Sequence, residues 1–154
     1  MSYPLTTAVP SEIQTLAKLG MLKRIQGAYA QAEQCYLQGI KLAETQGLSS
    51  QPAGIKLRND LAIVYKYWGR FEAADQLYQS VLQLLLAQYG EQHPEVATLY
   101  HNLAGLAHAR RQYEQAVVWG RKSYQLHRQL FGAQHAKTIA DGAALGAILH
   151  GLGQ

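Results

Sequence analysis

Residues 61–74 read Leu61-Ala62-Ile63-Val64-Tyr65-Lys66-Tyr67-Trp68-Gly69-Arg70-Phe71-Glu72-Ala73-Ala74, and two landmarks in this stretch organise the whole chain. The first is the pair Leu61-Ala62; the second is the frame Gly69/Phe71/Ala74. Forty-two residues earlier the same places hold Leu19-Gly20 and Gly27/Tyr29/Ala32, and forty-two later they hold Leu103-Ala104 and Arg111/Tyr113/Ala116. Leu145-Gly146 opens a fourth copy on the same period. One unit is therefore used three times and begun a fourth. A unit of this size cannot bury its apolar face alone, so neighbouring units must stack.

The punctuation between the landmarks sets the helices. Pro10-Ser11 followed by Gln14 has the form of a capping box, in which the Ser11 hydroxyl and the Gln14 side chain satisfy the first free amides of a helix. A first helix is expected from about Glu12 to Ile25, and a second from Tyr29 to about Gln46 after the break at Gly27. Gly47 and the Ser49-Ser50-Gln51-Pro52 loop close the unit. Pro52 in a first turn starts a third helix that reaches Trp68, and Phe71 to Tyr89 makes a fourth. Pro94 opens the fifth in the same manner, Gln112 begins the sixth, which stops near Phe131-Gly132, and Ala136 to about Leu149 is a seventh. The units span about 12–51, 52–93, 94–135 and a half unit 136–154, together one domain over 11–154 behind an N-terminal extension, 1–10. No segment alternates with period two for long enough to make a strand.

Within a unit, the apolar set Leu57, Leu61, Val64, Tyr65 and Trp68 recurs on one face of a helix turning every 3.6 residues, and Leu99, Leu103, Leu106 and Ala107 repeat it. That face is core. Ala62, Ala104, Ala74 and Ala116 are small where two helix axes must approach closely. Tyr29, Phe71 and Tyr113 begin the second helix of each pair and are placed to plug the junction with the next unit.

Composition supports a packed helical chain and excludes little else. Of the 154 residues 48 % are hydrophobic and 16 % charged, a balance that can bury a core and is foreign to disorder. A net charge of +4 is compatible with nucleic acid without recommending it, and an acidic peptide accounts for it equally well. Residues 1–10 lack the basic and apolar regions of a secretory signal, and no apolar run approaches the roughly 20 residues of a membrane span. A cytoplasmic location is the simplest expectation. Cys35 is the only cysteine, so no internal disulfide forms, and its register makes it a small core side chain.

The pattern of leucine, two residues on a small residue, then GxYxxA, all within a helix-turn-helix, resembles the tetratricopeptide repeat. The 42-residue period, the Asn102-Leu103-Ala104 triplet and the turns Gly90-Glu91-Gln92-His93-Pro94 and Gly132-Ala133-Gln134-His135 resemble its kinesin light chain type. Unit 1 departs at Gly20 and Lys23, and unit 3 at Arg111, where glycine is expected, and at Gly120. The resemblance implies an all-α fold: an α-solenoid of about seven helices, stacked as antiparallel pairs in a right-handed superhelical array. It also implies an adaptor or scaffold whose concave groove holds a peptide or helix of another protein. Motor transport is not implied, because the heptad coiled coil that joins such light chains to a heavy chain is absent.

On that geometry a second stripe of the first helix in each unit lines the groove. Lys18 and Arg24 belong to it in unit 1, Lys56, Asn59, Lys66 and Tyr67 in unit 2, and His101, Asn102 and His108 in unit 3. Amide side chains suit an extended peptide backbone, and the cations suit acidic side chains or a terminal carboxylate. Asn102 matches the groove asparagine of the family. These residues could equally be an ordinary solvated polar face. The alternative function is a helical repeat that binds single-stranded RNA, but such repeats place base-reading residues at fixed positions, and the place of Asn102 holds Lys18 and Asp60 elsewhere.

Other chemistry is thin. His101 and His108 are two turns apart, beyond the i, i+4 spacing at which two imidazoles grip one zinc, so no metal is expected. His93 and His135 recur on the period in the inter-unit turns, where they pack or cap. No motif of an enzyme or a cofactor site is present. The seventh helix is apolar around most of its circumference and has no partner helix after it in its unit. Three readings are open: self-association through Ile139, Leu145, Ile148 and Leu149, most simply as a homodimer, a place inside a longer repeat array, or fraying of a helix that carries Gly142, Gly146, Gly151 and Gly153.

Overall fold

The computed structural model describes residues 9–153 and contains seven helices: α1 (Ser11–Ile25), α2 (Tyr29–Thr45), α3 (Pro52–Tyr67), α4 (Phe71–Tyr89), α5 (Pro94–Ala109), α6 (Tyr113–Phe131) and α7 (Ala136–Leu152). No strand occurs among the described residues, and none of their helices is long and apolar enough to cross a membrane. Most of the expected extension, residues 1–8, lies outside the described residues, as does Gln154. The chain packs as two compact units, one ending at Trp68 and the other beginning at Gly69. The division falls in the turn inside the second sequence repeat.

Helix starts follow the local chemistry, with one correction. Pro52 and Pro94 occupy first-turn positions, where a missing amide costs nothing. His93 and His135 both cap and pack. The Nδ1 of His93 accepts from the Glu95 amide at 3.1 Å and that of His135 from the Lys137 amide at 3.1 Å. Their rings stack on Tyr89 and Phe131 at 3.9 and 4.5 Å, which holds each imidazole in the capping orientation. The capping box expected at Ser11 does not form. Ser11 is already inside α1, the residue before it is Pro10, and the Gln14 amide instead donates to the Val9 carbonyl at 3.0 Å.

In the first unit, α1 packs on α2 and α2 on α3. Leu57, Leu61, Ala62 and Val64 are buried as the 3.6-residue stripe requires, with Tyr65 and Trp68 half-buried. Tyr29 meets Trp68 with ring centroids 6.3 Å apart, the junction role expected of it. Gly20 is explained by Tyr36, because a Cβ at Gly20 would lie 2.8 Å from that buried ring. Cys35 is buried.

In the second unit each of α4 to α7 packs on the next. Ala104 and Ala107 of α5, Ala116 and Val117 of α6 and Ile148 of α7 form one apolar cluster, flanked by Trp119 and Leu145. Gly120 stands where the period puts Tyr36 and Tyr78, and Leu145 fills the space, 3.3 Å from the place of a Cβ. Tyr113 lies against Gly151, again at a junction.

Candidate functional site

The most developed cleft belongs to the first unit. It has a volume of about 490 Å³ and lies between α1 and α3. Ile13, Ala17 and Met21 line it from one helix and Pro52, Ala53 and Leu57 from the other, so its floor is apolar. Lys18, Lys56, Gln14 and Asp60 form its polar rim. Ile13 and Leu57 are at once core and floor, so the cleft is anchored in the packing that holds the helices together. Met21 is half exposed, an unbranched and adaptable side chain facing an open space.

Charge around the cleft is mixed. The Lys56 ammonium donates to the Asp60 carboxylate at 2.8 Å, an i, i+4 pair with the lysine largely in solvent. Such a pair is worth only about 0.3–0.5 kcal/mol and exchanges readily for another carboxylate. Behind the rim, burial first and then the Asp60 charge push the Tyr36 hydroxyl up to about 12. Toward the C-terminal ends of α1 and α3 a second cluster forms around Tyr67, which is 55 % exposed. The Arg24 guanidinium lies 5.4 Å from its ring centroid and the Lys66 ammonium 5.2 Å. Stacking on one exposed ring holds two cations together against their repulsion.

Of the groove residues expected from sequence, the first unit thus gathers Lys18 and Lys56 at the cleft and Arg24, Lys66 and Tyr67 beyond it. Asn59 is on α3 but does not line the cleft, and its side-chain oxygen is buried without a hydrogen-bond partner. His101, Asn102 and His108 belong to the second unit. Asn102 is half-buried, and exposed His108 packs its ring near Tyr113 at 5.6 Å. His101 is not a free groove residue: its Nδ1 lies 2.7 Å from the Asp141 carboxylate.

That carboxylate is the centre of a polar cluster that the sequence reading missed. Asp141 of α7 is buried, with Oδ1 facing His101 of α5 and Oδ2 facing both Ser123 and His127 of α6 at 2.5 Å. An ionised carboxylate only accepts, so both imidazoles carry their proton on Nδ1 and donate. Burial alone would raise Asp141, but the hydrogen bonds from His101, Ser123 and His127 and the charge of His127 outweigh it and hold the carboxyl below its ordinary range. The cluster has the residue types of a hydrolytic triad without its connectivity. Ser123 donates to the carboxylate rather than to a histidine, and Ser123 and His127 are buried. Nor do the three His and Asp side chains converge on a point that could hold a metal ion. The cluster docks α7.

The period could have revealed it. Positions 141, 123 and 127 correspond to Leu99, Val81 and Leu85 one repeat earlier, all three buried. Three polar residues replacing three core residues of one register is a signal that lies across three helices and is invisible along any one.

The self-association residues divide. Ile148 is 2 % exposed and part of the second unit's own core, because it faces Ala104, Ala116 and Val117, and Leu145 is half-buried against the same cluster. Ile139 and Leu149 are open, at 55 % and 43 %.

Two overlapping stretches of the chain, residues 11–87 and 55–129, match the tetratricopeptide repeat family. The chain belongs to that family. Tetratricopeptide repeats generally mediate protein–protein interaction and are typically scaffolds rather than enzymes. Solved structures agree on the fold. BtubC (BKLC) from P. vanneervenii superposes with a TM-score of 0.79 at 24 % identity, over 92 % of this chain and 56 % of that one. A putative kinesin light chain from Podosopora anserina with nearly identical TPR-like repeats gives 0.81 at 20 % identity, over 96 % of this chain and 70 % of that one. The repeat chain thus spans little more than half of the first of these structures. No curated protein matches it.

Proposed function

We propose that this tetratricopeptide-repeat chain is a protein-binding scaffold whose α1/α3 cleft holds a segment of a partner protein. The segment has an aliphatic side chain for the cleft floor and acidic residues for its rim. The observation that carries the reading is the union of an apolar floor of Ile13, Ala17, Met21 and Leu57 with cations at Lys18 and Lys56. An apolar anchor supplies affinity, and carboxylates meeting Lys18, Lys56 and the Arg24/Lys66 pair supply orientation and charge selection. Asp60 on the rim, and a floor without stacking aromatics, disfavour single-stranded RNA in the same place.

The test is fluorescence anisotropy with a labelled extended peptide carrying one leucine among glutamates, beside the same peptide with lysines and a homopolymeric RNA. The acidic peptide is expected to bind, and added salt to weaken it. Lys18→Glu/Lys56→Glu and Met21→Asp should each cut affinity at least about tenfold, the scale of one lost anchor or a reversed rim. Equal binding of acidic and basic peptides at every salt concentration defeats the charge assignment. Full affinity in both variants defeats the cleft.

A further inference from the structure

The α1/α3 cleft carries a carboxylate of its own. Asp60 is the one acidic side chain among the residues that line it, against Lys18 and Lys56 on the same rim. Its Oδ2 accepts from the Lys56 ammonium at 2.8 Å, and the two side chains are unequal partners, Asp60 being 21 % exposed and Lys56 72 %. The carboxylate is therefore the fixed member, seated in the wall, and the lysine is the arm that folds along one turn of α3 to meet it. The Tyr36 hydroxyl gives a second sign that this carboxylate faces inward, because burial first and then the Asp60 charge push it up while Arg24 draws it down.

The repeat register singles out the same residue. The place of Asp60 is Lys18 one repeat earlier and Asn102 one repeat later. A lysine there only donates, an amide both donates and accepts, and a carboxylate only accepts. On a rim that is otherwise cationic, Asp60 is thus the one lining group that repels an incoming carboxylate. It also occupies the cation that such a carboxylate would seek, at the distance of a charge-assisted hydrogen bond.

We infer that Asp60 is an autoinhibitory contact: it holds Lys56 as a stand-in for the partner's carboxylate, and a partner segment binds by taking the lysine from it. The inference rests on the α1/α3 cleft as the binding site and adds how that site is masked. An exposed i, i+4 pair is weak and exchanges readily, so the mask is partial. A segment with one acidic group gains little, because what it wins from Lys56 is offset by the loss of the internal pair and by its closeness to Asp60. A segment with several wins, because Lys18, Arg24 and Lys66 engage the others at the same time. The mask therefore selects for density of negative charge around the aliphatic anchor. A basic segment attracted to Asp60 would meet Lys18 and Lys56 on the same rim, which disfavours it.

The experiment uses the full chain, Asp60→Asn, Lys56→Gln and the two combined, with the labelled peptide of one leucine among glutamates and its lysine counterpart. Asparagine keeps the shape of the side chain at the rim, so the melting temperature should stay within about 2 °C. Asp60→Asn should bind the glutamate peptide at least about threefold more tightly than the wild type at about 50 mM salt, and the gain should fade at about 300 mM. In the Lys56→Gln background the same change should gain at most about 1.5-fold, because the carboxylate then has no lysine to release. An equal gain with and without Lys56 means that Asp60 repels the peptide through space without masking the lysine, and overturns the inference. Weaker binding by Asp60→Asn, with the lysine peptide preferring the wild type, assigns Asp60 to a partner cation and overturns it too. Equal affinity of wild type and variant for the glutamate peptide removes the mask but leaves the cleft, whereas binding by neither protein defeats the cleft and the mask with it. Binding by the variant alone shows the mask to be complete and supports the inference.

Discussion

Arg111 shows how a single residue can occupy the right fold at a local cost. Its φ is 59°, in the left-handed region that Gly27 and Gly69 adopt at 77° and 80° in the two earlier turns. The turn between paired helices demands this conformation, and the period therefore forces it on whichever residue is present. A side chain with a Cβ pays about 1–2 kcal/mol for it, partly offset because glycine would loosen the unfolded chain. Arg111→Gly is expected to raise stability by about 0.5–1 kcal/mol in urea unfolding, and Gly69→Arg to lower it by a similar amount. Gly20 presents the opposite case, a glycine required by space. Gly20→Ala places a methyl 2.8 Å from ring carbons of buried Tyr36, which has no room to withdraw. Overpacking of about 1–3 kcal/mol exceeds the helix propensity gained, so the variant should unfold at lower urea. Both positions depart from the repeat pattern, Arg111 against the backbone conformation of its turn and Gly20 because of a neighbour in space.

At the scale of the element, α7 is held by chemistry unlike that of the helices before it. Where the preceding repeat buries Leu99, Val81 and Leu85, α7 and α6 bury Asp141, Ser123 and His127. Removing one partner of a buried charged cluster strands another: Asp141→Ala leaves the His127 Nδ1 proton without its acceptor, while the Ser123 hydroxyl keeps the Ala97 carbonyl at 3.1 Å. About 3–5 kcal/mol should be lost. Replacing the set together, as Ser123→Val/His127→Leu/Asp141→Leu, transplants a packing that the chain already uses. That triple variant should equal or exceed the wild type by about 1–4 kcal/mol, read from the same urea curves. Acid provides an independent check. The Asp141 carboxyl sits below its ordinary value of 3.8 when folded, so the unfolded chain takes up its proton first as pH falls. Its stabilisation is complete above that ordinary value and is lost as pH drops through the lower folded one. Below about pH 4 the wild type should therefore lose stability more steeply than the triple variant, with His101 and His127 the groups that face the carboxylate. Parallel acid curves would show that the cluster carries no charge linkage.

Across the whole molecule, what was legible in the sequence was what one helix can display. The stripe of Leu57, Leu61 and Val64, the prolines at helix starts and the turn frames at Gly27, Gly69 and Arg111 all act within one element or one turn, and each stands where the period put it. The cationic rim at Lys18 and Lys56 was legible for the same reason. Hidden were the pairings among helices: Gly20 with Tyr36, Asp141 with two histidines, and Ile148 turned into the core rather than outward. Core density is equally uneven. α5 buries Val96, Ala97, Leu99, Leu103, Ala104, Leu106 and Ala107, whereas α1 buries only Ile13 and Gly20, and α7 only Thr138, Asp141 and Ile148. In a repeat chain each element is stabilised mainly by its immediate neighbours, so local opening should follow this order rather than a single global transition. Hydrogen exchange is expected to find the amides of α5 the slowest and those of α1 and α7 the fastest. A spread of about a hundredfold or more corresponds to ~2–3 kcal/mol of opening free energy. The triple variant should slow α7 alone, because its changes act at that junction. Uniform protection from α1 to α7 would instead mean that the chain opens as one cooperative body, and the element-by-element account of its stability would fail.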